Sequence, residues 1–200
     1  MKFLELNKKR HAVKSFSDRP LDIKDVRTAI EIATLAPSAH NIQPWKFVLV
    51  EEKKEALASL AFGGNYDQVQ SAPLSIVLFA DTDLKLRARK IARIGGKSLP
   101  EEDLQYFLQN LPAEFDRFSA EDLNSYLSLN TGLVALNLVL ALTDQGIASN
   151  MILGFDKEKV NEALDIDKRF RPELMITVGY SQDKPEPSYR LPVDELIERR

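Results

Sequence analysis

The chain of 200 residues carries 27 Lys and Arg against 30 Asp and Glu, a net charge of −3, so it lacks the basic excess that sequence-independent binding to a nucleic-acid backbone requires. With 44% hydrophobic and 28% charged residues it has the composition of a single globular domain over 1–200, and the absence of cysteine removes disulfides, thiolate metal sites and cysteine nucleophiles together. His11 and His40 are the only imidazoles, which excludes a three-histidine metal site within one chain, and no metal is expected.

The first helix starts at Asp22, an N-capping carboxylate followed by Ile23, Val26, Ala29, Ile30 and Ala33 at helical spacing, and Pro37 ends it. Lys46 to Val50 reads as a strand and Glu51 to Leu60 as a helix broken at Gly63-Gly64. Leu74 to Ala80 is an apolar run with Ser75 as its polar exception, which predicts a central strand buried on both faces. Residues 84–118 are basic first and then acidic and aromatic, and read as short helices in an excursion or flap. From Ser119, with Asp122 three residues on, the longest helical pattern runs to Thr143; its second half is apolar on every side, which predicts a helix buried all round with a second subunit covering it. Ala148 to Leu153 reads as extended, Asp156 to Leu164 as helical and Glu173 to Tyr180 as a strand. The tail over 182–200, with Pro185, Pro187 and Pro192, suits an extended arm. The order of elements gives an α+β or mixed α/β domain, a mixed or antiparallel sheet flanked by helices.

The first ten residues lack the apolar stretch of a secretory signal, and the longest apolar run, Leu133 to Leu142, is interrupted by Asn137 and reaches about half of the ~20 residues of a membrane span. A cytoplasmic chain without membrane contact is the expectation. Gly95-Gly96-Lys97-Ser98 has the ending of a phosphate-binding P-loop but lacks its earlier glycine and preceding strand, and reads as a surface turn. Neither Gly-x-Gly-x-x-Gly nor Gly-x-Ser-x-Gly occurs, so a dinucleotide fold of that type and a serine-hydrolase elbow have no fingerprint.

Two segments carry chemistry. In Arg10-His11-Ala12-Val13-Lys14-Ser15-Phe16, cations at i and i+4 can converge on a phosphate, Arg10 as a planar fork and Lys14 as a point charge; alone, such a segment also fits a solvated basic face. In Pro37-Ser38-Ala39-His40-Asn41-Ile42-Gln43-Pro44-Trp45, four polar side chains on a proline-stiffened connection suit the edge of a flat heteroaromatic ring, or a capped turn beside a packed Trp45.

Together these segments resemble the FMN-dependent nitroreductase family. Arg10, Lys14 and Phe16 match its opening Arg-x-Ser/Thr-x-Lys/Arg-x-Phe, and Pro37, Ser38, Asn41, Gln43, Pro44 and Trp45 match its Pro-Ser-x-x-Asn-x-Gln-Pro-Trp. A loop at Gly64-Asn65-Tyr66 with Gln68, the stretch Gly146 to Phe155 and Arg190-Leu191-Pro192 follow in the family's order. The resemblance implies a nitroreductase-like fold, with the long buried helix at a homodimer interface and FMN at that interface. It implies that Arg10, Lys14 and Arg190 hold the FMN phosphate and that His11 and Ala12 line the cofactor. It places Asn65 and Gln68 at the flavin's polar edge, and Pro37, Ser38, Ala39, His40, Asn41 and Gln43 on the loop that approaches from the second subunit. Ile152, Leu153 and Gly154 would lie by the reactive N5, with a backbone N–H donating to it and no side chain acting as catalytic acid or base. Ala12, Ser188 and Leu153 depart from relatives that carry a hydroxyl, a cation and an acid there.

The implied reaction is ping-pong hydride transfer from NADH or NADPH to an electron-poor small molecule such as a nitroaromatic or quinone, with the cations Arg87, Arg89, Lys90 and Arg93 either attracting the reductant's phosphates or forming a solvated face. A storage or regulatory flavin-binding protein without turnover, and a flavin-dependent dehalogenase or desaturase, are the alternatives on the same scaffold.

Overall fold

The computed structural model describes residues 2–183 and 188–200; Pro185 and Pro187 of the expected arm lie outside them. Four strands form one sheet in the order β1-β2-β4-β3: β1 (Trp45–Val50), β2 (Leu74–Asp81), β3 (Ala148–Ile152) and β4 (Phe170–Gly179). All three pairings are antiparallel, which settles the open choice between a mixed and an antiparallel sheet. β2 is buried along its whole length because its two faces meet two different cores. Leu74, Ile76 and Leu78 point to α2 (Ile23–Ala33) and the long helix α8 (Ala120–Asp144), whereas Val77 and Phe79 point to the core under α3 (Lys54–Ala58), α4 (Asn65–Ser71) and α9 (Lys157–Leu164). Each such fully buried side chain contributes about 1.5–3 kcal/mol.

Helix α2 is capped as expected, the Asp22 carboxylate accepting from Lys24 N. Helix α8 begins in a complete capping box: Ser119 Oγ accepts from Asp122 N at 3.1 Å while the Asp122 carboxylate accepts from Ser119 N at 3.0 Å. The Ser119 hydroxyl, which donates to the Asp122 carboxylate at 2.6 Å, and the Ser119 N–H together hold that carboxyl below its ordinary pKa. By length and composition α8 could cross a membrane, and 61% of its most apolar window is buried within the fold.

Within one chain α8 leaves Leu129, Leu133 and Leu136 as an exposed stripe, Leu129 at 68%, the part of its burial that the expectation assigns to a second subunit. Other expectations need correction. The helix after β1 is shorter than residues 51–60, since 51–53 form a turn. Asn65 and Gln68 sit on a helix rather than in a loop, Gly64 supplying the N-cap; α4 has too few apolar positions to show a period. The last strand starts at Phe170, three residues before Glu173, and another helix, α1 (Phe3–Lys9), precedes the Arg10–Phe16 segment.

The 84–118 excursion is mostly helical: α5 (Leu84–Gly95), α6 (Glu101–Gln105), a π-helical turn (Tyr106–Asn110) and α7 (Leu111–Phe115). It builds a third core in which Ala88, Ala92, Phe107, Leu111 and Phe115 pack with Ile42, Ala80 and Leu127. Gly96 to Ser98 form a turn after α5, as expected.

Candidate functional site

The chemistry-bearing residues fall into two groups. The first lies along β3. Val13 is buried and its N–H donates to Ser149 O at 3.2 Å, which lays the Arg10–Phe16 segment against the outer edge of this strand. Further along, Ser17 N donates to Tyr180 O at 2.8 Å. Arg10 and Lys14 have no acidic partner among the described residues, so two cations flank this edge uncompensated. The His11 ring hydrogen-bonds Lys9 O through Nδ1 at 2.9 Å, while its Nε2 is buried without a partner. His11 and Val13 line a cavity of about 210 Å³ with Thr143, Gly146, Ser149 and Asp183. Ala12 is exposed beside it.

Next to Ser149, Asn150 hydrogen-bonds the Gln68 side chain, its Nδ2 donating to Gln68 Oε1. Gln68 Nε2 donates to Asn65 Oδ1 at 3.3 Å, and Asn65 Nδ2 donates to Gly154 O at 3.2 Å. Four polar groups from α4, β3 and the turn after it therefore form one chain. Ser75, Thr177 and Asn150 occupy facing positions on three adjacent strands, and the buried hydroxyls of Ser75 and Thr177 have no partner. At Gly154 a Cβ would come within 3.0 Å of Asn65 Nδ2, so a side chain here would press on that amide. Gly154 O also accepts from Phe62 N, whereas its own N–H has no acceptor among the described residues. Ile152 is buried and the Leu153 side chain is exposed at 69%.

The second group is the loop between α2 and β1. His40, Asn41 and Gln43 all have positive φ, at 54°, 51° and 48°. Left-handed backbone at non-glycine positions costs about 1–2 kcal/mol per residue, least for Asn, so this loop carries on the order of 3 kcal/mol of strain. The anchors are of similar size. Ala39 N donates to Asn130 Oδ1 at 2.8 Å, and the Tyr126 hydroxyl donates to Ala39 O at 2.9 Å, both from α8. Ser38 Oγ accepts from Gln43 N, and Gln43 Nε2 donates to Asn41 O and Oδ1. Arg87, on α5, donates to Ile42 O, Gln43 O and Trp45 O. Burial pushes the Arg87 guanidinium below its ordinary pKa, against the pull of Asp81. Arg87 is thus a clamp for the loop, which separates it from the solvated cations of the same helix. Pro37, before this loop, is exposed.

His40 reaches the excursion. Its Nδ1 is hydrogen-bonded to the Tyr106 hydroxyl at 2.8 Å, and that hydroxyl lies 3.4 Å from both Glu114 carboxylate oxygens. Burial and Glu114 together raise the Tyr106 pKa. Tyr106 opens the π-helical turn, a local widening common at functional sites.

Arg190 joins neither group within the chain. Its guanidinium donates to Tyr189 O at 2.8 Å, and residues 188–200, Ser188 included, are exposed throughout. Asn150, Asn130, Tyr126 and Glu114 are the residues that sequence reasoning missed. Asn150 left a trace, a polar pair Ser149-Asn150 inside a strand; the others act across 74 to 91 residues, beyond any local pattern.

The sequence pattern of the nitroreductase family matches residues 8–180. A Streptococcus pyogenes protein named as an NAD(P)H nitroreductase is 65% identical over 200 residues, covering all of both chains. The crystal structure of a nitroreductase family protein from Streptococcus pneumoniae TIGR4 superposes with a TM-score of 0.98 at 70% identity, covering both chains completely. A nitroreductase-type chain from Exiguobacterium sibiricum, solved in complex with FMN, has a TM-score of 0.91 at 25% identity, covering all of this chain and 98% of the other. With an identity of 65% along its full length and the family pattern spanning both residue groups, this chain belongs to the nitroreductase family.

Proposed function

We propose that this chain is an FMN-dependent oxidoreductase that accepts hydride from NADH or NADPH and passes it, in a ping-pong cycle, to an electron-poor small molecule such as a nitroaromatic or quinone. The observation that carries the reading is the Val13–Ser149 backbone bond. It sets two uncompensated cations beside a polar chain, Asn150–Gln68–Asn65–Gly154, that matches a phosphate at one end and the amide-rich edge of an isoalloxazine at the other. The His11 Nε2 left without a partner among the described residues fits the same group, as does the FMN held by the Exiguobacterium relative.

Bound FMN supplies the hydride-accepting and hydride-donating centre. Arg10 and Lys14 hold its phosphate as a bidentate fork and a point charge. Asn65 and Gln68 orient the ring's polar edge, each itself fixed by a second hydrogen bond. The free Gly154 N–H, beside Ile152 and Leu153, donates to N5 from rigid backbone and needs no reorganisation as charge develops. No ionisable side chain is required for the transfer itself.

Within one chain the loop 37–43 is tied to α5 and α8, away from β3. The reading is completed by a cytoplasmic homodimer in which the second subunit brings Ser38, Ala39 and Asn41 to the flavin. The exposed Leu129, Leu133 and Leu136 stripe on α8 supports this assembly, as do the apolar side chains of the exposed C-terminal arm, Leu191, Val193, Leu196 and Ile197. Arg190 then reaches the phosphate only through that arm's exchange. Removal of residues 183–200 should give monomer or aggregate with little flavin, measured by gel filtration; an intact, fully flavinated dimer would count against arm exchange.

The decisive experiment is spectroscopic. The purified protein should show flavin absorbance that bleaches promptly on anaerobic addition of NADH or NADPH and returns on addition of a quinone. A bound flavin inert to both nucleotides would reduce the protein to a flavin carrier.

A further inference from the structure

Helix α5 carries Lys85, Arg87, Arg89, Lys90 and Arg93 and no acidic residue. Two of its cations are engaged: Arg87 with the loop carbonyls and Lys85 with Asp116. Arg89, Lys90 and Arg93 are exposed and have no acidic partner among the described residues. They line a cavity of about 410 Å³ together with Arg87, Arg169 and Phe170. The carboxylates in reach are neutralised or occupied. Asp81, which also lines the cavity, is fully buried under Arg169, whose Nε donates to it at 2.6 Å. Asp83 caps α5 by accepting from Leu86 N. A chain of net charge −3 thus keeps three free cations within about one helical turn, facing an open hollow. An adjoining cavity of about 320 Å³ shares Arg87 and Lys90 and is lined by Asn41 and Gln43, so the cationic hollow continues to the strained loop.

We propose that this hollow is an anion site for the 2′-phosphate of NADPH, and that it makes NADPH the preferred reductant. The inference rests on the reading above, in which the loop 37–43 borders the flavin. The pyrophosphate shared by NADH and NADPH presents two separate single charges. The 2′-phosphate is a monoester with roughly −1.5 to −2 on one compact group, the charge that three convergent cations neutralise, and the planar forks of Arg89 and Arg93 can each engage two of its oxygens.

The test compares ligands that differ in that phosphate alone. Calorimetric titration of the flavin-loaded protein should show NADP+ binding more tightly than NAD+, with the advantage fading as salt rises. In Arg89→Ala/Arg93→Ala, whose substitutions are exposed, the NADPH KM should rise about tenfold with kcat within twofold of wild type, while the NADH KM moves far less. Arg93→Glu should enlarge the effect. An equal rise in both KM values, or none, overturns the site. If neither nucleotide reduces the flavin, yet NADP+ outbinds NAD+ and the double variant abolishes the difference, the anion site stands and the oxidoreductase reading falls.

Discussion

The two halves of the candidate site are built by opposite means. Along β3, Asn150 is positioned by strand register and the Arg10–Phe16 segment by the Val13–Ser149 backbone bond, with no positive φ in either and short polar links between neighbouring elements. The loop 37–43 has no ladder. Three left-handed residues are held there by side chains from α8 and α5, which sit 44 to 91 residues away in sequence. A strand edge suits a fixed platform that must hold a cofactor through every turnover. A strained loop tied down at a few points presents its polar groups outward, where a second subunit or a ligand can meet them, and its geometry is only as secure as each tie.

Breaking the platform should therefore remove cofactor without unfolding the protein. On the proposed reading Arg10→Ala/Lys14→Ala deletes two charge-assisted contacts to phosphate, each worth about 1.5–3 kcal/mol, and should weaken FMN retention at least about a hundredfold. Both side chains lack acidic partners among the described residues, so the unfolding free energy of the flavin-free protein in urea should change by less than about 0.5 kcal/mol. Flavin absorbance per protein during dialysis checks the first part. Undiminished flavin content would move the phosphate elsewhere.

Breaking a tie of the loop should do the reverse and cost stability directly. Arg87→Ala strips a charged donor from the carbonyls of Ile42, Gln43 and Trp45 and should destabilise by about 2–3 kcal/mol in urea unfolding. Arg87→Lys should recover less than half of this, because an ammonium cannot fork across several carbonyls. Full rescue by lysine would show that charge, rather than the fork, holds the loop. Asn130→Ala removes the acceptor of Ala39 N and should cost about 1–2 kcal/mol, with flavin loss secondary to the loop's movement.

The same contrast decides what the sequence discloses. Elements set by local chemistry are legible: the Asp22 cap, the Ser119–Asp122 capping box, and the both-face burial of β2 from an apolar run around a single Ser. α1 and α4 are not, because seven residues with few buried positions show no period. The resemblance singles out Arg10, Lys14, Asn65 and Gln68 as proposed site residues, and the structure links Asn65 and Gln68 through one hydrogen bond. The strained φ of His40, Asn41 and Gln43 left no glycine to mark it, and the ties from Asn130, Tyr126 and Arg87 are tertiary. For α8, composition alone predicts burial but cannot say which face is left for a second subunit; the structure leaves the Leu129, Leu133 and Leu136 stripe exposed.

The smallest effect sharpens the comparison through pH. Tyr126→Phe removes the donor to Ala39 O but keeps the ring that packs against Phe115 and Phe118, so it should cost only about 1 kcal/mol near neutral pH. Burial, reinforced by Tyr106 and Glu114, pushes the Tyr126 hydroxyl well above its ordinary value, so in the folded protein it remains a protonated donor. A folded-state pKa raised above the unfolded value of about 10 makes its contribution complete below pH 10 and lost as pH climbs toward the folded value. The stability gap between wild type and Tyr126→Phe should accordingly be flat from pH 6 to about 9 and narrow above about 10. A gap that widens with alkalinity would mean that the hydroxyl is not held as a donor, and that the loop depends on Asn130 and Arg87 alone.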